Sequence, residues 1–361
     1  MTNPLSQKIK GKPKSLSKTE EKVETEKESV EMEEFFDTTE DELDAFDEAC
    51  WNKGDGYKLP RFPEVERRLE GLESGLYLFA AESNMGKSAI MSNMLYDLGT
   101  CEENSMFVIY YSLDDAAGEI IPRIIAMNER IPISAASKPK RYQNMIDRGE
   151  ENSIVYQDWL NKRKNGIENL KSKKEQFKIV DGNKIRSIEQ MYEHIKKVNR
   201  FLKTFYPNKK LAIGIDSIND LRFTTKNLSH GNELVSEVAQ TVKGWTVEFD
   251  MVIFASTHLR KVNGSRRPTI DDLKDSVELA YEASVVWLVY NDVSRNKQAA
   301  SIYHNQEGVE EKLPIIEMDW AKNKKSSFKG RTYNYFTQDY SLVTECPEDI
   351  MKRFDALVYE G

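Results

Sequence analysis

Eight consecutive residues constrain this chain more than any others. Ala81, Glu82, Ser83, Asn84, Met85, Gly86, Lys87 and Ser88 lie between an apolar run, Leu76–Ala81, and a helical pattern that starts at Lys87. The spacing is that of the phosphate loop G-x-x-x-x-G-K-[ST], with Ala in place of the first Gly. The physical logic survives that change. In such a loop backbone N–H groups and the helix start cradle phosphates, and here Lys87 is expected to neutralise β and γ phosphate oxygens and the Ser88 hydroxyl to ligate Mg2+.

The rest of the chain supplies the sheet that such a loop requires. Apolar runs at Met106–Ser112, Phe177–Val180, Leu211–Asp216, Met251–Ser256, Ser284–Tyr290 and Ile315–Asp319 read as strands. Helical patterns at Lys87–Leu98, Ala117–Asn128, Ile188–Phe205 and Leu234–Phe249 separate them. Alternation of this kind predicts an α/β fold with a mostly parallel sheet flanked by helices. Ligands of such sheets bind at the carboxyl ends of the strands. The Lys-rich stretch 134–175 is expected to be helical and carries no legible chemistry.

Three strand ends carry polar groups suited to that edge. Asp216 closes the run Leu211–Ile215 and is placed to hold Mg2+ beside the phosphate loop. Asp114 and Asp115 follow the second strand, where a carboxylate can orient the water that attacks the γ-phosphate. His258, in Ser256-Thr-His, ends the next core strand and is expected to face that phosphate.

Charge is distributed unevenly. The net charge is −8, yet Glu20–Glu48 holds fifteen acidic and two basic residues, whereas the residues before Glu20 hold five lysines and no acid. From Ala49 onward the chain is neutral. Residues 1–36 contain too few large apolar side chains to offset ordering entropy and are expected to be a disordered bipolar tail. Such a tail serves as a solubiliser, a docking arm or a DNA mimic. Over 37–56 the chain is expected to form a linker helix and linker, with Leu43, Phe46, Cys50 and Trp51 on one helix face. A compact domain is then expected over 57–340, and a C-terminal segment over 341–361. Three cysteines, Cys50, Cys101 and Cys346, exclude a disulfide scaffold and a four-cysteine zinc site. No apolar run reaches the roughly 18 residues of a membrane span, so a cytoplasmic protein is expected, in the host cytoplasm if phage-encoded.

These motifs, in this order, resemble the RecA-like C-terminal domain of DnaB-family replicative helicases. Glu73–Ser88 is similar to the family's nucleotide motif. Tyr111-Ser-Leu-Asp-Asp115 resembles its Ser-Leu-Glu motif, which puts the catalytic acid on Asp114. Ile215-Asp216 resembles its Walker B, and Ser256-Thr-His258 its Ser-Gln sensor strand. The most specific match is Arg267-Pro-Thr-Ile-Asp-Asp-Leu-Lys-Asp-Ser276, similar without gaps to Arg-Pro-x-x-x-Asp-Leu-Arg-Glu-Ser. Ala321-Lys-Asn-Lys-Lys325 resembles the segment that reaches the neighbouring subunit's nucleotide, which implies a catalytic role for Lys322 and Lys324. Three departures stand out: Asp114 for Glu, His258 for Gln, and Lys324 for the arginine finger. The family's N-terminal helical domain has no counterpart here, as expected of a shortened phage or plasmid version.

The resemblance implies an ATP-driven helicase that moves on single-stranded DNA as a homohexamer. It also implies that the linker helix docks on the next subunit and that a primase or helicase loader is a possible partner. DNA contacts are expected between Ser256 and Ser284, from Arg260, Lys261, Arg266, Arg267 and Lys274. The resemblance adds Asp275 and Val277. Two other readings compete: an ATP-binding assembly or loader switch with weak hydrolysis, and a RecA/RadA-like recombination ATPase.

Overall fold

The computed structural model describes residues 40–51, 54–226, 231–261, 264, 266–273, 278–306, 308 and 310–359. The chain divides into two units, Met1–Gly54 and Asp55–Gly361. In the first, residues 40–51 form a helix, α1. The tail expected over 1–36 lies outside the described residues.

The second unit runs α2 (Pro63–Leu69), β1 (Gly75–Ala81), α3 (Lys87–Thr100), β2 (Met106–Ser112), α4 (Ala117–Glu129), α5 (Ile133–Ser137), α6 (Pro139–Asp147), α7 (Ser153–Ser172), β3 (Phe177–Asp181), α8 (Ile188–Phe205), β4 (Lys210–Asp216), α9 (Asn232–Glu248), β5 (Val252–His258), α10 (Glu278–Glu282), β6 (Val285–Asn291), α11 (Asp292–Asn296), β7 (Tyr303–His304), β8 (Leu313–Asn323), β9 (Arg331–Thr337), β10 (Leu342–Glu345) and α12 (Glu348–Tyr359). Among the described residues the strands form one sheet in the order β10-β9-β8-β6-β1-β5-β4-β2-β3, with β7 on β8. From β6 to β3 every pairing is parallel. Strands β7 to β10 extend the sheet with antiparallel pairings. The sheet is thus the mixed, mostly parallel one expected around the phosphate loop, and β9 and β10 of its antiparallel side are strands that the apolar runs did not mark. That side also carries the sheet across the expected boundary at 340, because β10 pairs with β9 and Val343 is buried.

The central strands are continuous apolar runs because helices cover both faces. Every residue of β1 and β6 is buried. Side chains alternate between two cores. Tyr77, Phe79 and Ala81 pack with Met91, Met94 and Leu98 of α3 and with Ile120, Ile124 and Met127 of α4. Leu76, Leu78 and Ala80 pack with Met191 and Ile195 of α8 and with Val238 and Val242 of α9. On the α3 face, Tyr77 and Phe79 meet Trp287 of β6 at ring separations of 5.8 and 4.8 Å. A one-residue slip of β1 would turn these rings to the opposite face, so the packing fixes its register. Gly214 of β4 lets α3 approach closely, since a Cβ there would lie 2.2 Å from Leu95 Cδ1.

The Lys-rich stretch becomes α5, α6 and α7. It has a small core of its own, in which Tyr142 meets Tyr156 and Trp159 at 5.4 and 5.5 Å.

Candidate nucleotide site

The phosphate loop leaves the central strand β1 and enters α3. Its turn needs left-handed backbone at Asn84 (φ 65°) and Gly86 (φ 92°). Glycine is required at the second position, where a Cβ would come within 2.6 Å of Ile316 Cδ1. Lys87 opens the helix. Its ammonium is buried and has no hydrogen-bond partner among the described residues. Burial pushes its pKa down, against the opposing pull of Asp216 and Asp114. An unpartnered buried ammonium is costly, and a phosphate placed in the cleft would give it a partner. Glu82, Ser83, Asn84, Gly86, Lys87 and Ser88 line a cleft of about 530 Å³. Met85 does not face it: its side chain packs into the core with Ala81.

Asp114, after β2, and His258, at the end of β5, line the other side of this cleft, and Asp216 lies beneath the lining, close enough to act on the Lys87 charge. Asp216 is buried at the end of β4, where Tyr110 Oη donates to it at 2.7 Å and the Ser256 hydroxyl also donates. Those bonds leave each carboxylate oxygen further acceptor capacity. With the Ser88 hydroxyl this is an oxygen-only donor set, as Mg2+ prefers, with phosphates and water completing the shell. Asp216 and Ser88 therefore fit Mg2+. The Leu113 and Asp114 N–H groups both donate to the Asp216 carbonyl, at 2.6 and 3.0 Å, which ties the tips of β2 and β4 together.

Asp114 is exposed in the cleft. Its neighbour Asp115 pairs with Arg123 of α4 at 2.6 Å, and Glu82 pairs with Arg295 of α11 at 3.0 Å. The two neighbouring carboxylates of the cleft, Asp115 and Glu82, thus each carry a cation, whereas Asp114 acts on the Lys87 charge. His258 lies opposite Ala81 in the β1–β5 register. Burial and the Lys87 charge push its pKa down, so the ring is held neutral near pH 7. Arg123 and Phe336 also line the cleft and carry no sequence motif.

A family model, "DnaB-like helicase C terminal domain", matches residues 60–341. The chain belongs to that family. The "Probable replicative DNA helicase" of Trieres chinensis is 23% identical over 267 residues, covering 73% of this chain and 52% of that protein. The "Replicative DNA helicase DnaB" of Buchnera aphidicola subsp. Schizaphis graminum is 25% identical over 241 residues, covering 64% and 45%. The chain thus spans about half the length of the curated relatives it matches. Among solved structures, an isolated ATPase domain superposes with a TM-score of 0.68 at 22% identity, covering 85% of this chain and 98% of that one. A DnaB-like replicative helicase, described with its interactions with primase, gives 0.66 at 22% identity, covering 84% and 66%. These likenesses show the RecA-like fold of the family's ATPase domain.

Within the DnaB-like domain, the remaining expected site residues lie apart from the cleft. Lys324 N–H bonds Ser284 O, and Ser284 N–H bonds Leu76 O, which places Lys324 five strand residues below Ala81. At about 3.3 Å per residue that is roughly 16 Å. Lys322 and Lys324 both donate to the Tyr281 carbonyl, at 2.7 and 3.2 Å. Burial and the neighbouring Lys324 charge push Lys322 down to about 8.

The expected DNA-contact residues divide in three. Arg260 and Lys261 are exposed. Arg266 is held bidentately by Asp272, and Arg267 by the buried Glu317. Lys274, Asp275 and Val277 lie outside the described residues.

Proposed function

We propose that this chain is the ATP-hydrolysing motor of a replicative DNA helicase, acting in the cytoplasm on single-stranded DNA as a ring, a homohexamer. The observation that carries this reading is the buried, unpartnered Lys87 ammonium beside Asp216, Asp114 and His258, in a domain of the DnaB-like family. Lys87 binds the β and γ oxygens of ATP. Ser88 and Asp216 hold Mg2+, which when bound neutralises charge across those phosphates. Asp114 orients the attacking water, and neutral His258 donates to or accepts from the γ-phosphate region. Lys322 and Lys324 sit too far from their own phosphate loop to serve it, which supports a role in the neighbouring subunit's site.

DNA runs along loops that follow β5, where Arg260 and Lys261 are joined by Lys274, Asp275 and Val277. The helix α1 acts as a linker that docks on the next subunit, and the acidic tail precedes it. Everything from Asp55 onward works as one ATPase domain. A primase or a helicase loader is the expected protein partner.

The test is ATP hydrolysis with and without single-stranded DNA, paired with displacement of a forked duplex and native mass with and without nucleotide. Stimulated hydrolysis with unwinding by a six-fold assembly is expected. A second reading, an ATP-dependent assembly switch with weak hydrolysis, draws support from the one-methylene-shorter Asp114 and from Lys324 in a finger's place. It predicts nucleotide-dependent assembly without unwinding.

A further inference from the structure

Between the phosphate loop and the loop that follows β5 stands one guanidinium. Arg295 Nη1 donates to Glu82 Oε2 at 3.0 Å. Its Nε and Nη2 donate to the Gly264 carbonyl at 3.3 and 3.0 Å. Glu82 is the second residue of the phosphate loop, and Gly264 lies between the exposed cations Arg260 and Lys261 and the anchored Arg267. The guanidinium is planar, with its donors in a fixed fork, so movement at one edge is carried to the other.

The element bearing Arg295 is itself fixed. Asn291 Oδ1 accepts from Ser294 N–H at 3.0 Å and so starts α11. The buried Asp292 carboxylate accepts from the N–H groups of Ser301 and Ile302, at 2.6 and 2.8 Å, and from the Asn296 side chain at 2.5 Å. Ser294 Oγ reaches the Asn84 carbonyl at 3.3 Å, a second tie from α11 to the phosphate loop. The Arg295–Glu82 pair is only about one-sixth exposed on each side, so solvent screens it weakly.

We propose that Arg295 is the positioning residue that couples nucleotide occupancy to the DNA-contacting loop. This rests on the helicase reading above. A triphosphate entering the loop brings a dense negative charge beside the Glu82 carboxylate. Like charges repel, so the Glu82–Arg295 pair must adjust, and the fork carries that adjustment to Gly264. Energetic coupling between two ligands is reciprocal: DNA changes nucleotide affinity by the same factor as nucleotide changes DNA affinity. Factors of roughly 5 to 150 are usual for such coupling.

The experiment measures that factor both ways in the full chain. A non-hydrolysable ATP analogue is titrated with and without a fluorescent oligo-thymidine, and the oligonucleotide is titrated with and without the analogue. Arg295→Met is expected to bring both factors to within about twofold of one, against at least fivefold in the parent. Arg295→Lys keeps a charge for Glu82 but cannot span to Gly264. It should hold the DNA-free nucleotide affinity within about threefold of the parent while losing the coupling, a split that general structural damage would not produce. If Arg295→Met melts early, Arg295→Lys alone decides the matter. Parent-like coupling in a folded Arg295→Lys variant overturns the inference and leaves the helicase reading standing. A parent chain whose two ligands ignore each other overturns the helicase reading, and this inference with it.

Discussion

Arg267 grips Glu317 with two hydrogen bonds, at 2.6 and 2.9 Å, and lies over the Tyr290 ring at 5.2 Å. Glu317 is 1% exposed in the middle of β8. Burial pushes its pKa up, and Arg267 is the chief group that opposes this, with a smaller pull from Arg331. The pair therefore anchors the loop after β5 to the antiparallel half of the sheet. Removing one member of a buried pair strands the other charge, at a cost of about 3–5 kcal/mol. Arg267→Ala should lose about that much in urea denaturation, and Glu317→Gln less, because the amide still accepts one bond. A loss under about 1 kcal/mol for Arg267→Ala would show that the pair anchors nothing.

Lys87 makes a prediction in two directions. Lys87→Met removes a buried, unpartnered charge, so the nucleotide-free protein should melt higher than the parent. The same variant should lose ATP hydrolysis and the ligand-induced stabilisation, which at 100 times Kd is about 2.7 kcal/mol. Asp216→Asn should also stop turnover, by weakening the hold on Mg2+. Asp114→Asn should keep that stabilisation and stop turnover. Unchanged turnover in Asp114→Asn would move the role to Asp115 or Glu82, although each of those holds an arginine.

What was legible in the sequence follows from the range of the forces involved. The parallel half of the sheet is written as continuous apolar runs, and Asp114, Asp216 and His258 stand at or just past the ends of three of them, near Lys87. The antiparallel half is quieter. β9, Arg331–Thr337, mixes aromatics with polar residues, and β10 has four residues. Neither stands out until its pairing partner is known. Arg267 reads as one more cation in a basic loop because Glu317 is fifty positions away. A signal did exist: a lone acid inside Ile315-Ile316-Glu317-Met318 is a buried charge in need of a cation. Arg123 gave none, since it belongs to no motif and its partner Asp115 lies across a loop–helix junction, eight positions away.

Glu345 sets a pH dependence. Its carboxylate accepts from the Glu64 and Val65 N–H groups at 2.5 and 3.0 Å, joining β10 to the start of α2. Burial pushes its pKa up to about 7, from an ordinary 4.5. The folded state therefore binds more protons than the unfolded state between those values, and stability falls as pH rises from about 4.5 to 7. The size is on the order of 3 kcal/mol. Glu345→Gln should flatten that part of the stability–pH curve. An unchanged slope would put the titrating group elsewhere.

DNA binding should rest on few cations. Arg266 and Arg267 are held by Asp272 and Glu317, which leaves Arg260, Lys261 and Lys274 as the candidates. Lys274→Glu and the double change Arg260→Ala with Lys261→Ala should each weaken oligo-thymidine binding. The log–log slope of affinity against salt should flatten by about 0.7 for each phosphate that is no longer neutralised. Arg266→Glu should matter less, because its guanidinium is already committed. Parent-like binding by the first two variants across a salt titration would turn attention to the Lys-rich helices over 138–174.

The distance between Lys324 and its own phosphate loop calls for a test of shared sites. If Lys322 and Lys324 serve a neighbour, Lys324→Ala and Lys87→Ala subunits are each inactive alone, but a mixed ring contains interfaces that keep both residues. Hydrolysis should therefore reappear on mixing and peak at an intermediate ratio. No recovery in confirmed mixed rings would place the site within one chain. Charge is what a lysine offers in this role, and Lys322, pushed down to about 8, surrenders it as pH rises through that value. Any contribution of Lys322 to turnover should therefore fade between about pH 7 and 9. Lys322→Arg should move that loss to higher pH, since a guanidinium stays charged. Lys324→Arg should raise the rate, because a planar fork can grip two phosphoryl oxygens where an ammonium offers a point charge. A slower Lys324→Arg enzyme with parent-like nucleotide affinity would mean that the interface is shaped for lysine and that the finger lies elsewhere.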